Sequence, residues 1–187
     1  MMNKTTENEL YRAFLLDGLP EPLTRTSSHL QIIDNYIEKT RLRLRNIRDP
    51  YSNTLTYLLQ QRFWTNESGV MMSKMSEIHL NEAEHAAFEQ FEGRDIRKNR
   101  YFHEFDRKMF LFDVYLGSLW GLHTARADFS SFDEMKEFEP PPFVVFEITN
   151  DPFFSGENLI GMNFDDIRSE VAKIGKGSRL TVEAVDE

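Results

Sequence analysis

In the run Arg41-Leu42-Arg43-Leu44-Arg45, cations alternate strictly with leucines. Successive side chains along a strand point to opposite faces, so as a strand this run gives its guanidinium groups to one face and its leucines to the other. The same device recurs. Lys98 and Arg100 share a face within 96–101, and Glu9, Tyr11 and Ala13 share one near the start. In 107–115 the face carrying Phe110, Phe112 and Val114 is wholly apolar, and Asp113 lies opposite with Met109 and Leu111. One such strand reads equally well as a solvated outer surface. Several together suit a barrel whose apolar face is outside, under helices, and whose polar face lines a lumen. Several cations facing inward then need counter-charges or an anionic ligand, because unpaired charge in a confined site is costly.

Short strand-like segments dominate the rest of the chain. They cover 9–16, 29–38, 40–47, 54–64, 70–79, 95–102, 107–116, 119–129 and 143–149. Asp17-Gly18-Leu19-Pro20 and Asp49-Pro50 with Ser52-Asn53 punctuate them, and Asn66-Glu67-Ser68-Gly69 reads as a hairpin turn. Helices are expected over 81–93, capped by Asn81 and stopped at Gly93, over 131–138, and over 164–174, capped by Asn163. Many antiparallel strands with few helices make an α+β plan. Closing the sheet, fully or nearly, removes its exposed edges. The expectation is one domain over 7–174, a closed or nearly closed antiparallel β-barrel with helices packed outside, and a mobile tail over 175–187.

At 187 residues the chain is long enough for one sizeable core, and 16 Phe, six Tyr and two Trp are more than a disordered chain carries. The formal charge of −9 argues against wholesale wrapping of DNA or RNA. Its distribution is uneven: residues 1–66 carry nine Lys/Arg against seven Asp/Glu, and the remainder 13 against 24. Basic residues are thus concentrated where a local anion site could form inside an acidic protein. No apolar run is long enough to cross a bilayer, and the polar start lacks the plan of a secretory signal. With no Cys there is no disulfide framework or thiolate chemistry, which fits a reducing compartment and a cytoplasmic protein. The five His show no metal-ligand spacing. Gly175-Lys176-Gly177-Ser178 lacks the upstream Gly and following helix of a phosphate loop. Phe110, Phe112, Phe143 and Phe146 read as core, and Trp64 and Trp120 as packing residues.

The order of segments resembles the CYTH, or triphosphate tunnel, family. Its opening Glu-x-Glu-x-Lys-Phe-Leu strand and following Leu-Pro are similar to residues 9–16 with Leu19-Pro20. Asn35-Tyr36-Ile37, Leu42-Arg43-Leu44-Arg45, Leu55-Thr56 and Ile96-Arg97-Lys98-Asn99-Arg100-Tyr101 follow in the family's order. Residues 111–115, 121–129 and 147–152 with Asn158-Leu159 complete the likeness, which spans about residues 7–160. The resemblance implies a tunnel in which basic residues grip a triphosphate while carboxylates hold Mg²⁺ or Mn²⁺. Carried over by position, Arg41, Arg43, Arg45, Lys98, Arg100 and Arg126 form the anion-binding side. Glu9, Asp113, Asp128 and Glu147 are what remains for a metal.

The acidic set departs from the family pattern. Tyr11, Leu111 and Arg126 stand at acidic positions, Ala13 and Leu58 at lysines, and Met75 lies in a strand of alternating acids beside Glu77. A register shifted by two, starting at Glu7, would keep the same face and recover both opening acids, at the cost of the tight spacing to Leu19-Pro20. Fewer acids weaken divalent-cation binding, and an inward Arg126 repels a cation or grips a phosphate in its place. The resemblance therefore implies a protein that binds a nucleotide, triphosphate or similar polyanion, with Mg²⁺ or Mn²⁺ weakly held and catalysis weakened or lost. The alternatives are an active metal-dependent triphosphatase or class IV-type adenylate cyclase, and a purely structural role in which the lumen charges pair internally.

Overall fold

The computed structural model describes the backbone of residues 4–67 and 70–183, and the side chains of 9–63 and 73–173. Strands β1 (Lys4–Glu9), β2 (Tyr11–Leu16), β3 (His29–Ile37), β4 (Leu42–Asp49), β5 (Thr54–Glu67) and β6 (Val70–Leu80) come first. Helix α1 (Glu82–Phe88) separates them from β7 (Gly93–Phe105), β8 (Lys108–Tyr115) and β9 (His123–Asp128). Helix α2 (Phe132–Glu137), β10 (Val144–Glu147), α3 (Gly156–Leu159) and α4 (Phe164–Glu183) complete the chain. Short 3₁₀ turns cover Gly117–Leu119 and Pro152–Phe154.

Among the described residues the strands form one ten-stranded antiparallel sheet in the order β1-β6-β5-β4-β3-β7-β8-β9-β2-β10. The ladder of hydrogen bonds runs from β1 to β10 without a pair that closes it. One edge strand, β1, and the strand next to the other edge, β2, nevertheless belong to one extended segment. Leu10 alone separates β1, which pairs with β6, from β2, which pairs with β9. The Leu10 carbonyl accepts from Phe129 N–H at 2.7 Å, just past β9.

Alternation divides the core in two. Phe14, Leu16, Tyr101, Phe110, Phe112, Val114, Ala125, Ala127 and Phe129 form an apolar layer on the outer face. Phe138 and Phe143 pack on it from α2 and the segment after it. The second cluster joins Leu15, Ile96 and Tyr115 to Leu122, Ile148, Leu159 and Ile167. Ile96 shares its face with Lys98, and Tyr115 with Asp113, so α3 and α4 pack over one end of the inner face. The expectation that every helix lies outside is corrected there. Helices α3 and α4 follow β10, the edge strand, so they can fold over the mouth of the sheet. Gly156 makes the approach possible, since a Cβ at that position would fall 1.7 Å from the Tyr36 hydroxyl oxygen.

Asn81 caps α1 through a reciprocal capping box with Glu84, and Ser131 accepts from Glu134 N–H to cap α2. Three boundaries differ from expectation. The first strand begins at Lys4, because Lys4 to Glu9 pair in register with β6. Gly93 starts β7 instead of ending α1, pairing with Ile37 where an added Cβ would meet Asn35. Helix α4 runs to Glu183, beyond the helix end at 174 that the sequence suggests. Two Gly cost an α-helix only about 1 kcal/mol each, which does not forbid its continuation. The hairpin turn anticipated at 66–69 lies partly outside the described residues.

Candidate functional site: a charged inner face

The strands' inner-facing residues line one cavity of about 1180 Å³. The register explains which residues meet there. Arg43 and Arg45 on β4 stand opposite Tyr36 and Asp34 on β3, and Arg43 also faces Gln60 on β5. Lys98 and Arg100 on β7 stand opposite Tyr115 and Asp113 on β8. On β9, Arg126 faces Ala13 of β2 and Leu111 of β8, and Asp128 faces Tyr11.

Three carboxylates organise the charge, and each serves two cations. Asp34 accepts from Arg45 Nε at 2.5 Å and Nη2 at 2.7 Å, with Arg43 Nη1 at 3.6 Å. Asp113 accepts from Arg100 Nε and Nη2 and from Lys98 Nζ, all at 2.7 Å. Glu9 accepts from Arg62 Nε at 3.0 Å, Arg126 Nη1 at 3.0 Å and Ser73 Oγ at 2.7 Å. Glu9, on the edge strand β1, thereby contacts side chains of β5, β6 and β9.

Burial pushes all three carboxyl pKa values up, and the neighbouring cations pull them down further. Arg43 and Arg45 hold Asp34 well below the usual carboxylate range, and Arg100 and Lys98 do the same for Asp113. For Glu9, Arg62 and Arg126 prevail over burial and bring it to about 2. Lys98 behaves differently. Burial lowers it, Asp113 partly restores it, Arg100 lowers it again, and it settles at about 8. Lys98 also feels Asp34 and Arg45, and Arg43 feels Glu9, so the three centres are one electrostatic cluster.

Three of the guanidinium groups are held by one edge. Arg45, Arg62 and Arg100 each bind their carboxylate through Nε and Nη2, so Nη1 makes no hydrogen bond to it. Arg43 is fixed by Gln60 Oε1 (2.9 and 2.5 Å) and by the Tyr36 hydroxyl, which accepts at 3.2 Å. A planar fork held by one edge presents the other to a ligand.

The sequence-derived candidates divide accordingly. Arg43, Arg45, Lys98, Arg100 and Arg126 line the cavity together with Glu9, Asp113 and Asp128. Arg41 lies at the rim, exposed and one residue before β4. Glu147 does not join them. It lies on the outside of β10, where Arg12 Nε and Nη2 donate to its two oxygens at 3.0 and 2.5 Å. Its place among the metal candidates is therefore corrected: it is opposite Phe14 in the ladder, on the outer face.

Asp34, Gln60 and Arg62 were missed. Asp34 had a signal, a lone acid on the strand face it shares with Leu30, Ile32 and Tyr36. Among the described residues no group of three His, Cys, Asp or Glu is placed to hold a metal ion. The buried carboxylates present cannot serve without giving up arginine or lysine partners, so the donor set does not fit a hard divalent cation. No helix among the described residues is long and apolar enough to cross a membrane.

No protein-family model matches the chain. No curated protein matches it either. Among solved structures it is similar to two crystal structures of NE1496, one described as an inorganic triphosphatase and the other as a hypothetical protein. The first is 21% identical with a TM-score of 0.54, covering 81% of this chain and 93% of that one. The second is 23% identical with a TM-score of 0.54, covering 81% of this chain and 97% of that one. The chain shares the fold of NE1496, an antiparallel sheet with a few helices.

Proposed function

We propose that the protein binds a triphosphate-like anion, either a nucleotide or an inorganic polyphosphate, among Arg43, Arg45, Lys98, Arg100 and Arg126, with Arg41 at the rim. The observation that carries this reading is the ratio of two cations to one carboxylate at the buried Asp34 and at the buried Asp113. Asp34 and Asp113 each neutralise half of the charge around them, and each of these two centres keeps about one unit of positive charge facing the cavity, whereas at the third Arg62 and Arg126 are balanced by Glu9 and Asp128. A chain of phosphates matches that pattern, and the Nη1 edges of Arg45, Arg62 and Arg100 are placed to donate to its oxygens. The sheet acts as a tunnel, with Glu9 on the edge strand β1 bridged to Arg126 on β9. Metal-dependent catalysis is weak or lost, since the remaining acids are committed to arginines. The absence of Cys suits the cytoplasm as the compartment.

A second reading has its own observation. NE1496, whose fold the chain shares, is described as an inorganic triphosphatase. On that reading the protein is a metal-dependent phosphoanhydride hydrolase, or a class IV-type adenylate cyclase, that uses Mg²⁺ or Mn²⁺ with Glu9, Asp113 and Asp128. A third reading gives the ion pairs a structural role alone. Titration calorimetry with inorganic triphosphate and with ATP, in EDTA and in Mn²⁺, separates the three. Binding without turnover supports the proposal, and Mn²⁺-dependent phosphate release establishes the enzyme. No binding of either anion leaves the structural role.

A further inference from the structure

Arg126 is held from three strands at once. Its Nε and Nη2 donate to Asp128 Oδ1 at 2.8 and 2.6 Å, and its Nη1 donates to Glu9 Oε1 at 3.0 Å. The guanidinium carbon lies 4.1 Å from the centroid of the Tyr11 ring, which supports the plane from one face. These contacts come from β1, β2 and β9, and they use three of the five N–H donors. Glu9 and Asp128 thus reach the same cation from β1, at one edge of the sheet, and β9, near the other. Two carboxylates that share a point in this way suit a divalent cation. Here a side chain holds that point.

We infer that Arg126 is the built-in cation of the anion site, holding the place between Glu9 and Asp128 that a divalent ion would take, so that the ligand is engaged without metal. The inference rests on the cavity being an anion site. A guanidinium in this position does two things. Its free N–H groups donate to phosphate oxygens with fixed geometry, as the carboxylates and Tyr11 prevent the fork from turning. Its charge also repels a hard cation from the two carboxylates it neutralises. Tyr11 fits the same logic, because an aromatic face stabilises a guanidinium and supplies no ligand to a metal.

The test uses the intact chain, Arg126→Gln and Arg126→Lys. The Arg126 side chain is about a quarter exposed, so a polar replacement is accommodated there. Binding of inorganic triphosphate is measured by calorimetry in EDTA and with Mn²⁺. Binding of Mn²⁺ alone is measured by electron paramagnetic resonance. The parent is expected to bind triphosphate equally well in both conditions. Arg126→Gln should bind about tenfold more weakly in EDTA, with Arg126→Lys between the two. For Mn²⁺ alone, Arg126→Gln should bind at least tenfold more tightly than the parent, as Asp128 is released and Glu9 keeps Arg62 as its one cation. Triphosphate binding by the parent only when Mn²⁺ is present overturns the inference and leaves the anion site standing. An unchanged Mn²⁺ affinity in Arg126→Gln also overturns it. If the parent binds no triphosphate in either condition, the anion-site reading fails, and the Mn²⁺ measurement still decides what Arg126 excludes.

Discussion

Arg45 closes on Asp34 through two parallel hydrogen bonds, Nε to Oδ1 at 2.5 Å and Nη2 to Oδ2 at 2.7 Å, with both side chains buried. Arg43 stands 3.6 Å away on the same carboxylate. Asp34 is thus the counter-ion of two arginines, and its removal strands both. Asp34→Ala is expected to destabilise the fold by about 3–5 kcal/mol. For a chain of this size that is a fall in Tm of about 10 °C. Arg43→Ala should cost far less, since Asp34 keeps its paired bonds to Arg45. Thermal melts of the two variants check the order. A loss for Arg43→Ala equal to that for Asp34→Ala contradicts it.

Strand parity made much of this legible. Alternation in 41–45, 96–101 and 107–115 places Arg43, Arg45, Lys98, Arg100 and Asp113 on faces that can be read without coordinates, and the outer layer of Phe110, Phe112 and Val114 follows from the same rule. What could not be read is partnership. That Asp34 belongs to Arg45 depends on the β3–β4 register, and that Glu9 meets Arg62 and Arg126 depends on strands far apart in the chain. Glu147 shows the converse failure. Its segment resembles the family's, but the structure turns its side chain outward to Arg12. The packing of α3 and α4 over the inner face was invisible for a related reason. Their apolar residues, Leu159 and Ile167, say that a face is buried without saying against which surface.

Acid should unfold the protein through these same carboxylates. Glu9 titrates at about 2 in the fold, below its ordinary value of 4.5. A depressed carboxyl contributes stability that is present above pH 4.5 and is lost as the pH falls toward 2. The contribution is on the order of 3 kcal/mol for Glu9 alone. Asp34 and Asp113 act in the same direction and keep their charge to lower pH. Denaturant unfolding between pH 7 and pH 3 should show the loss, and Glu9→Gln should flatten the part of the curve that belongs to Glu9. A parallel curve for Glu9→Gln contradicts the assignment.

Lys98 makes anion binding depend on pH near neutrality. Its folded value of about 8 lies below the ordinary 10.5 because burial and Arg100 outweigh Asp113. A bound polyanion favours the charged form and raises the value, so binding at pH 8 should take up a fraction of a proton. Affinity should fall as the pH rises through 8. Calorimetry in buffers of different ionisation enthalpy measures the uptake directly, and proton release or no exchange contradicts it. The effect on folding has the opposite sense. Between pH 8 and 10.5 the unfolded chain holds the proton more tightly, so stability from this group rises with pH. Lys98→Met should therefore leave Tm at pH 7 unchanged or higher, with Asp113 still paired to Arg100, and should abolish the proton uptake.

Arg12 and Arg100 separate packing from binding. Arg12 lies on the outer face, where it binds Glu147, donates to the Phe138 carbonyl at 2.5 Å and packs on the rings of Phe14 and Phe138. Arg12→Ala loses these contacts and should destabilise the fold by about 1–3 kcal/mol. Nothing in the cavity changes, so anion binding should not. Arg100→Ala leaves Asp113 with Lys98 alone and also lowers Tm. The difference lies in what triphosphate then does. A ligand at a hundred times its Kd stabilises a protein by about 2.7 kcal/mol, a rise of about 5–10 °C here. Arg12→Ala should show the same rise as the parent from its lower starting point. In Arg100→Ala one charge-assisted contact is lost, affinity falls about tenfold, and at the same anion concentration the rise drops by roughly half. Equal triphosphate-induced shifts in the parent, Arg12→Ala and Arg100→Ala would remove Arg100 from the anion site.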